Sequence, residues 1–275
     1  MRAAVLGRPI GHSLSPVLHT SAYAALGLAD WSYTAIDCGE DELPGLVDGL
    51  GPEWAGLSLT MPLKRAALAV ADSADPLATA VGAANTLVLG GGERRAYLTD
   101  VAGMAAALRE AGCAAPDSAV VLGGGGTAQA ALAALCMLGL DAAVVLVRDP
   151  GRAGDLRATA DRLGVELDLR AGLVGRVPAA DLVISTLPAG AADGLAPPAG
   201  AVVLDVVYAP WPTRFAAAAA AAGGTVVSGL AMLLHQAAAQ VELMTGRPAP
   251  VPAMRAALDA AVRARSEKPP APTGA

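Results

Sequence analysis

The sequence predicts an α/β protein of two domains, the second of them built on a doubly wound parallel sheet. The chain has 275 residues, which is more than one hydrophobic core comfortably serves. Short apolar runs alternate with helical patterns along most of the chain, an order typical of parallel sheets. Near the middle, a glycine loop at residues 123–126 separates an apolar run from a helical pattern, which is typical of doubly wound domains.

Composition argues against several classes of protein. The net charge of −6, without a basic run, argues against a nucleic-acid partner. The hydrophobic share is 54%, but much of it is alanine and no run approaches the roughly 18 to 20 strongly apolar residues of a membrane span. The apolar stretch before Gly7 is too short for a secretory signal. Three widely spaced cysteines without a CxxC pair favour neither disulfides nor zinc. We therefore expect a cytoplasmic protein that binds small molecules.

The first element is a predicted strand at residues 3–6, which leads into a loop rich in Gly, Pro and Ser. Ser15 is predicted to be the N-cap of the following helix, which ends near Gly27 and has Pro16 at its first position. Ser13 and Ser15 thus lie where a strand leads into a helix. Such a junction readily binds anions.

Further strands are predicted at residues 31–36 and 57–60. After Thr60, a helix is predicted to begin near Leu63, with Lys64 in its first turn. Ligands of parallel sheets gather beyond the carboxyl ends of the strands. We therefore expect the polar side chains that follow these strands to face one ligand.

Lys64 is a candidate for chemistry because lysine is scarce in this chain. Lys64 and Lys268 are the two lysines among 19 basic residues, the others being arginine. A guanidinium stays charged at any working pH, whereas a partly desolvated ammonium can give and take a proton. The alternative for Lys64 is a solvated position at the start of a helix.

A hairpin is predicted next, with strands at residues 87–89 and 95–98 around three glycines. A helix is predicted over residues 101–111, and Asp100 stands immediately before it. Asp100 is either the N-cap of that helix or the acidic partner of a catalytic lysine. The residues alone favour the N-cap and leave the second interpretation open.

A nucleotide site is predicted in the second half of the chain. A strand at residues 119–122 leads into the glycine loop, and a helix at 128–138 and a strand at 143–147 follow. In such a unit, the backbone can approach a pyrophosphate at the N-terminus of the helix. We therefore predict dinucleotide binding at this loop.

The residues after the second of these strands bear on the choice of cofactor. An acidic residue there suits the ribose 2′-hydroxyl of NAD, whereas arginine suits the 2′-phosphate of NADP. The sequence offers Arg148, Asp149 and Arg152. NADP is favoured by the two arginines, and NAD is not excluded.

The rest of the chain completes the second domain and adds two helices. Strands are predicted at 182–185, 202–206 and 226–227, and helices from Thr213 through the alanine run, at 232–244 and at 252–265. Residues 266–275 are rich in proline and are predicted to be disordered.

Motifs along the chain then form one ordered set: Gly7–Pro16, Ser58–Lys64, Gly82–Thr86, Thr99 with Asp100, the glycine loop, Asp205–Tyr208 followed by Pro210, and Gly229–Gln236. Together they closely resemble the shikimate dehydrogenase family, especially its actinobacterial members. The resemblance covers residues 1 to about 250. It implies an NADP-dependent enzyme that reversibly reduces 3-dehydroshikimate to shikimate, a step toward chorismate and the aromatic amino acids.

The resemblance also implies an architecture. An N-terminal α/β substrate domain takes residues 1–101 with 229–265, and a Rossmann dinucleotide-binding domain takes residues 102–228. The C-terminal helices pack back on the N-terminal domain. The protein is expected to be a monomer or a homodimer.

Roles for particular residues follow from the same resemblance. Lys64 and Asp100 become the catalytic pair. Ser13 and Ser15 bind the substrate carboxylate, and the ring hydroxyls or nearby groups are held by Thr60, Asn85, Tyr208 and Gln236. The cofactor residues are Gly123, Gly125, Gly126, Thr127, Ala128, Arg148, Asp149, Arg152, Thr186, Gly229 and Met232. No metal is implied, and the three histidines have no metal-ligand spacing.

The sequence departs from the family pattern at three positions, and the alternative dehydrogenases diverge at Leu98, Arg148 and Asp149. Leu98 stands where the family usually has an amide, Asp149 adds a negative charge beside Arg148, and Ser58 replaces a commoner Asn. The alternatives are an NAD-preferring quinate/shikimate dehydrogenase, an aminoshikimate dehydrogenase, and a non-catalytic protein that senses dinucleotides.

Overall fold

The computed structural model describes residues 1–267 and contains two six-stranded sheets with helices packed against them. The predicted α/β class is confirmed, with an N-terminal α/β domain and a Rossmann-type domain. Within residues 1–267, no helix combines the length and the apolar character needed to cross a membrane.

The N-terminal sheet has the strand order β2-β1-β3-β5-β6-β4. Strand β1 pairs in parallel with β2 and β3, whereas β5 is antiparallel to β3 and β6, so the predicted hairpin is confirmed. Strand β3 is buried at all six positions, as expected for a strand inside a sheet. The elements are β1 (Arg2–Gly7), α1 (Ser15–Ala25), β2 (Ser32–Asp37), α2 (Leu43–Asp48), β3 (Trp54–Leu59), α3 (Ala66–Ala69), β4 (Ser73–Ala74), α4 (Pro76–Val81), β5 (Thr86–Gly90), β6 (Glu93–Tyr97) and α5 (Thr99–Glu110).

The second sheet is parallel throughout, with the order β14-β13-β11-β7-β8-β9. From β7 the chain first adds β8 and β9 on one side. It then returns to place β11 on the other side of β7 and adds β13 and β14 beyond it. The crevice beside β7, where the order reverses, is where such sheets bind ligands. The elements are β7 (Ala119–Leu122), α6 (Gly126–Met137), β8 (Ala142–Val147), α7 (Gly154–Leu163), β9 (Glu166–Ala171), β10 (Gly175–Arg176), β11 (Leu182–Ser185), β12 (Leu195–Ala196), β13 (Val202–Asp205), α8 (Arg214–Ala221), β14 (Thr225–Ser228), α9 (Gly229–Thr245) and α10 (Val251–Glu267).

The two C-terminal helices return to the N-terminal half, as predicted. Helix α9 packs along α5 and also contacts β3 and β5, while α10 packs along α1. Gly103 of α5 permits the close approach of α9, because a Cβ there would lie 2.8 Å from the carbonyl oxygen of Met232. Leu18, Leu234 and Met254 fill the space between α1, α9 and α10 at 0% exposure. Burial of each such side chain contributes about 1.5 to 3 kcal/mol.

Helix boundaries differ from the predictions at three points that concern the site. The helix after β3 begins at Ala66, so Lys64 lies in the turn before it. Leu14 occupies the N-cap position of α1, and Ser15 is the first helical residue. This correction arises because the hydroxyl of Ser13, two residues before Ser15, accepts the Ser15 N–H at 3.2 Å. Helix α9 begins at Gly229, directly after β14.

The end of the chain differs as well. Helix α10 continues to Glu267, so Ser266 and Glu267 are helical and were wrongly predicted to be disordered. Ser266 is helical because its hydroxyl donates to the carbonyl of Val262, which extends the last turn. The remainder of the predicted tail, residues 268–275, lies outside the described residues.

Candidate active site

A cavity of about 370 Å³ opens between the two sheets, beyond the carboxyl ends of β1, β3, β7 and β13. The structure brings together on its walls all the predicted catalytic and substrate residues: Lys64, Asp100, Ser13, Ser15, Thr60, Asn85, Tyr208 and Gln236. Three predicted cofactor residues also line it: Thr127, Gly229 and Met232. The other predicted cofactor residues do not line it and lie on the Rossmann side.

Lys64 and Asp100 form an ion pair on the cavity wall. The Lys64 Nζ donates to Asp100 Oδ2 at 2.5 Å. The Lys64 side chain is 31% exposed and that of Asp100 is 8% exposed. The ammonium therefore reaches the cavity while a buried carboxylate holds it in place. A carboxylate in this position can orient a proton donor without itself facing bulk water.

Local structure explains how each member of this pair is positioned. Lys64 lies in a turn in which the Leu63 N–H donates to the Thr60 carbonyl at 2.8 Å, and the Leu63 side chain is fully buried. Asp100 lies in the first turn of α5, where the helix dipole stabilises a negative charge. The N-cap position belongs to Leu98, so the N-cap interpretation of Asp100 was wrong. Its carboxylate faces Lys64 instead.

Asn85 connects Asp100 with Gln236. The Asn85 Nδ2 donates to Asp100 Oδ1 at 3.0 Å and to Gln236 Oε1 at 3.1 Å. The Asn85 Oδ1 accepts the backbone N–H of Thr99 at 2.8 Å. A backbone N–H can only donate, so this contact fixes which end of the amide faces Asp100.

The sequence prediction missed Gln240, which also lines the cavity. Gln240 is 1% exposed, and its Nε2 donates to Thr86 Oγ1 at 2.9 Å. Its Oε1 accepts the Ser58 hydroxyl at 2.8 Å, and Ser58 in turn accepts the Tyr33 hydroxyl at 2.6 Å. Gln240 lies one helical turn after Gln236, so the spacing of the two glutamines was the signal that could have identified it.

His19 supports this network from behind the cavity. It is 0% exposed, its ring stacks on Tyr33 at 3.9 Å between centroids, and its Nε2 lies 3.2 Å from Gln240 Oε1. Burial lowers the pKa of His19 to about 4, so the imidazole is neutral at physiological pH. Because an amide oxygen can only accept, the proton of the neutral ring is on Nε2.

Another part of the cavity wall, at the start of helix α1, suits an anion. Ser13 and Ser15 lie at the start of the 11-residue helix α1, whose N-cap residue makes no side-chain hydrogen bond to the first turn. Backbone N–H groups at such a terminus attract negative charge, and serine hydroxyls can donate to the same oxygens. A carboxylate is therefore well matched to this end.

The glycine loop fits the pyrophosphate of a dinucleotide. Gly123 has φ of +106°, and a Cβ there would lie 2.5 Å from Thr186 Oγ1, so glycine is required. A Cβ at Gly125 or Gly126 would meet nothing within 4 Å, which leaves open space above the first turn of α6. A phosphate in that space would meet the N-terminus of the 12-residue helix α6, which begins at Gly126.

The residues after β8 also fit a phosphate. Arg148 and Arg152 are exposed. The carboxylate of Asp149 accepts the Gly151 N–H at 2.9 Å and so caps the short turn Pro150–Arg152. This contact gives Asp149 a structural role that the sequence prediction did not include.

The Leu98 side chain is buried in the hydrophobic core. It is 3% exposed and packs with apolar residues such as Leu87 and Val101. An apolar side chain therefore suits position 98, although the next two residues, Thr99 and Asp100, are polar. Within residues 1–267, no cluster of three or more His, Cys, Asp or Glu side chains could hold a metal ion.

Comparisons with known proteins agree with this geometry. Residues 5–87 match the shikimate dehydrogenase substrate binding domain, and residues 229–258 match the shikimate 5'-dehydrogenase C-terminal domain. A shikimate dehydrogenase (NADP(+)) from Moorella thermoacetica is 38% identical over 281 residues, which cover 97% of this chain and 95% of that protein.

Solved structures agree as well. The Mycobacterium tuberculosis shikimate dehydrogenase has 48% identity and a TM-score of 0.83, covering 94% of this chain and 99% of that one. A Thermus thermophilus shikimate 5-dehydrogenase in complex with NADP(H) and shikimate has 35% identity and a TM-score of 0.81, covering 95% and 99% of the two chains. The chain belongs to the shikimate dehydrogenase family.

Proposed function

We propose that this protein is an NADP-dependent shikimate dehydrogenase that interconverts shikimate and 3-dehydroshikimate. The observation that carries the proposal is the Lys64–Asp100 pair, which lies in a cavity with Ser13 and Ser15 at its anion end and Thr127 of the nucleotide loop on its wall. The relatives named shikimate dehydrogenase (NADP(+)) support the same activity.

The substrate would bind with its carboxylate at Ser13 and Ser15. The donors and acceptors of Thr60, Asn85, Tyr208 and Gln236 then face the ring, where they can bind its hydroxyl groups. A buried polar site of this kind discriminates strongly against a ring that lacks a hydroxyl, because the protein groups would be left unpaired.

Lys64 would act as the proton donor in reduction and the proton acceptor in oxidation. Bound NADPH supplies the hydride. As the substrate oxygen gains alkoxide character, the Lys64 ammonium stabilises the charge and donates a proton from Nζ. Asp100 holds the ammonium in place, and Asn85 fixes the orientation of Asp100 through its other carboxylate oxygen.

The Rossmann domain would hold the cofactor at the glycine loop. The open space at Gly125 and Gly126 suits the pyrophosphate, and the guanidinium groups of Arg148 and Arg152 suit the 2′-phosphate of NADP. The remaining residues assigned to the cofactor are Gly123, Thr127, Ala128, Asp149, Thr186, Gly229 and Met232. They follow strands of the parallel sheet or belong to the helices that begin there.

The domain boundaries belong to the same proposal. Residues 1–101 with 229–265 form the substrate domain and residues 102–228 the NADP domain. Helices α5 and α9, which pack against each other, carry the chain between the two sheets and support this division. We place the enzyme in the cytoplasm, as a monomer or homodimer, in the biosynthesis of chorismate and the aromatic amino acids.

Steady-state oxidation of shikimate and of quinate, each with NADP and with NAD, tests the proposal. The highest kcat/KM is expected for shikimate with NADP. Higher kcat/KM with NAD would refute the cofactor assignment, and higher kcat/KM with quinate would refute the substrate. Binding of NADP(H) without oxidation of either acid would indicate a dinucleotide-sensing protein.

A further inference from the structure

We infer that Arg265, in the last turn of α10, is a positioning residue for the substrate carboxylate. The inference rests on the proposed function, because it concerns the carboxylate expected at Ser13 and Ser15. Arg265 is about 250 residues away from that loop in sequence, and none of the sequence motifs includes it. Its contacts place it directly behind the anion end of the cavity.

Both acceptors of the Arg265 guanidinium within residues 1–267 are main-chain carbonyls of this loop. The Nη1 donates to the carbonyl oxygen of His12 at 3.0 Å, and the Nη2 lies 3.4 Å from that of Ser13. Helix α10 is anchored on α1 through Met254 and Leu258, which are 0% and 2% exposed. The guanidinium is therefore presented by a fixed helix.

These hydrogen bonds act on the peptide groups that lead into α1. A cation bound to a peptide carbonyl polarises the peptide and makes its N–H a stronger donor. The peptide whose carbonyl belongs to Ser13 carries the N–H of Leu14, which is the N-cap residue of α1. Arg265 thus adds positive potential at the helix terminus that would receive the carboxylate.

The positive charge of Arg265 matters for anion binding because the charged pair on the cavity wall has no net charge. Lys64 and Asp100 carry opposite charges and pair with each other, so together they add no net charge to bind an anion. The first turn of α1 contains no acidic residue that would cancel the charge of Arg265. Arg265 is thus a cation that the structure places against the main chain of His12 and Ser13.

The position of Arg265 also limits the size of the effect. Arg265 is exposed and lines a second cavity of about 460 Å³, which shares His12, Val206 and Tyr208 with the first. Water screens a guanidinium at the mouth of a cavity. We therefore expect its contribution to carboxylate binding to lie between that of an exposed ion pair and that of a charge-assisted hydrogen bond.

The test compares Arg265→Gln and Arg265→Lys with Arg263→Gln, which removes an exposed arginine from the same helix. Arg265→Gln is expected to raise the KM for shikimate by about 3- to 10-fold, with kcat and the KM for NADP within about 2-fold of wild type. Arg265→Lys keeps the cation, but an ammonium does not reproduce the two-pronged guanidinium contact, so the KM for shikimate should rise less than in Arg265→Gln. Arg263→Gln should match wild type. Melting temperatures check that each variant is folded.

Two results would overturn the inference. An unchanged KM for shikimate in folded Arg265→Gln would mean that the guanidinium has no influence on the carboxylate. An equal rise in the KM for shikimate in Arg265→Lys and Arg265→Gln would mean that the size and shape of the arginine side chain hold the loop in place and that its charge has no influence. Failure of the wild-type protein to oxidise shikimate would instead refute the proposed function, so the two failures are distinguishable.

Discussion

Replacing Lys64 with alanine is the most direct test of the proposed chemistry. The change removes the ammonium that lies 2.5 Å from Asp100 and reaches the cavity. General acid catalysis typically contributes ~10² to 10⁴ in rate, so kcat should fall by at least about 100-fold. A 100-fold loss corresponds to about 2.7 kcal/mol of transition-state stabilisation at 25 °C.

The Michaelis constant should change little in this variant. The groups proposed to hold the carboxylate are Ser13, in the loop before α1, and Ser15, the first residue of that helix. Neither contacts Lys64 in the hydrogen bonds described for residues 1–267. A loss confined to kcat identifies an interaction made mainly in the transition state. A large rise in KM with normal kcat would instead assign Lys64 to substrate binding.

Initial rates of shikimate oxidation with saturating NADP measure both constants. Arg65→Ala is the matched control, because Arg65 is the neighbouring cation and pairs with Asp155 on the surface at 2.6 Å. Exposed ion pairs contribute little, so this control should keep turnover within about 2-fold of wild type. Near-normal turnover in Lys64→Ala would remove Lys64 from the mechanism.

Three further predictions concern the cofactor, the buried network and pH. The double variant Arg148→Ala, Arg152→Ala should raise the KM for NADP by about 10-fold or more and leave the KM for NAD unchanged in steady-state assays; an equal rise for both would refute a 2′-phosphate site. Gln240→Met removes the donor to Thr86 and should lower kcat/KM by about 10-fold without loss of cavity volume, whereas normal kinetics would make Gln240 dispensable. Below pH 6.5 an unfolded His19 takes up a proton while the folded one, with a pKa of about 4, does not, so this residue lowers stability as pH falls from 6.5 to 4. Between pH 7 and pH 5, the free energy of unfolding measured with denaturant should therefore fall by about 2 kcal/mol less in His19→Gln than in wild type. Equal decreases in the two proteins would contradict the neutral state of folded His19.

The fold was predictable where local patterns agree with the final packing. Strands β7 and β11 are buried at every position and, apart from Ser185 at the end of β11, consist of apolar residues, because both faces of a parallel sheet are covered. Helix α7 and strand β9 were missed because their polar residues face solvent and hide the period of the few buried positions. Leu156 is fully buried in α7, yet its neighbours Asp155 and Arg157 are charged.

The candidate site was predictable as a set of positions but not as a set of contacts. Ser13, Thr60 and Lys64 follow predicted strands, and parallel topology alone brings such positions to one edge. The pairing of Lys64 with Asp100 spans 36 residues, and local sequence favoured an N-cap role for Asp100. Strand β5 runs antiparallel to β3, and β6 runs antiparallel to β5, so β6 ends on the same side of the sheet as β3. The start of α5, which follows β6, therefore lies near Lys64, which follows β3.

Helix α9 fixes how the substrate side and the cofactor side of the cavity relate to each other. Gly229, Met232, Gln236 and Gln240 all line the cavity, and their spacing of three, four and four residues puts them on one face of the helix. At about 1.5 Å per residue, this face spans roughly 16 Å. A Cβ at Gly229 would lie 2.0 Å from the carbonyl oxygen of Val206, so the helix begins against the loop after β13. One rigid helix thus joins the nucleotide end of the cavity to the network around Asn85, and the distance between the two ends is set by helix geometry.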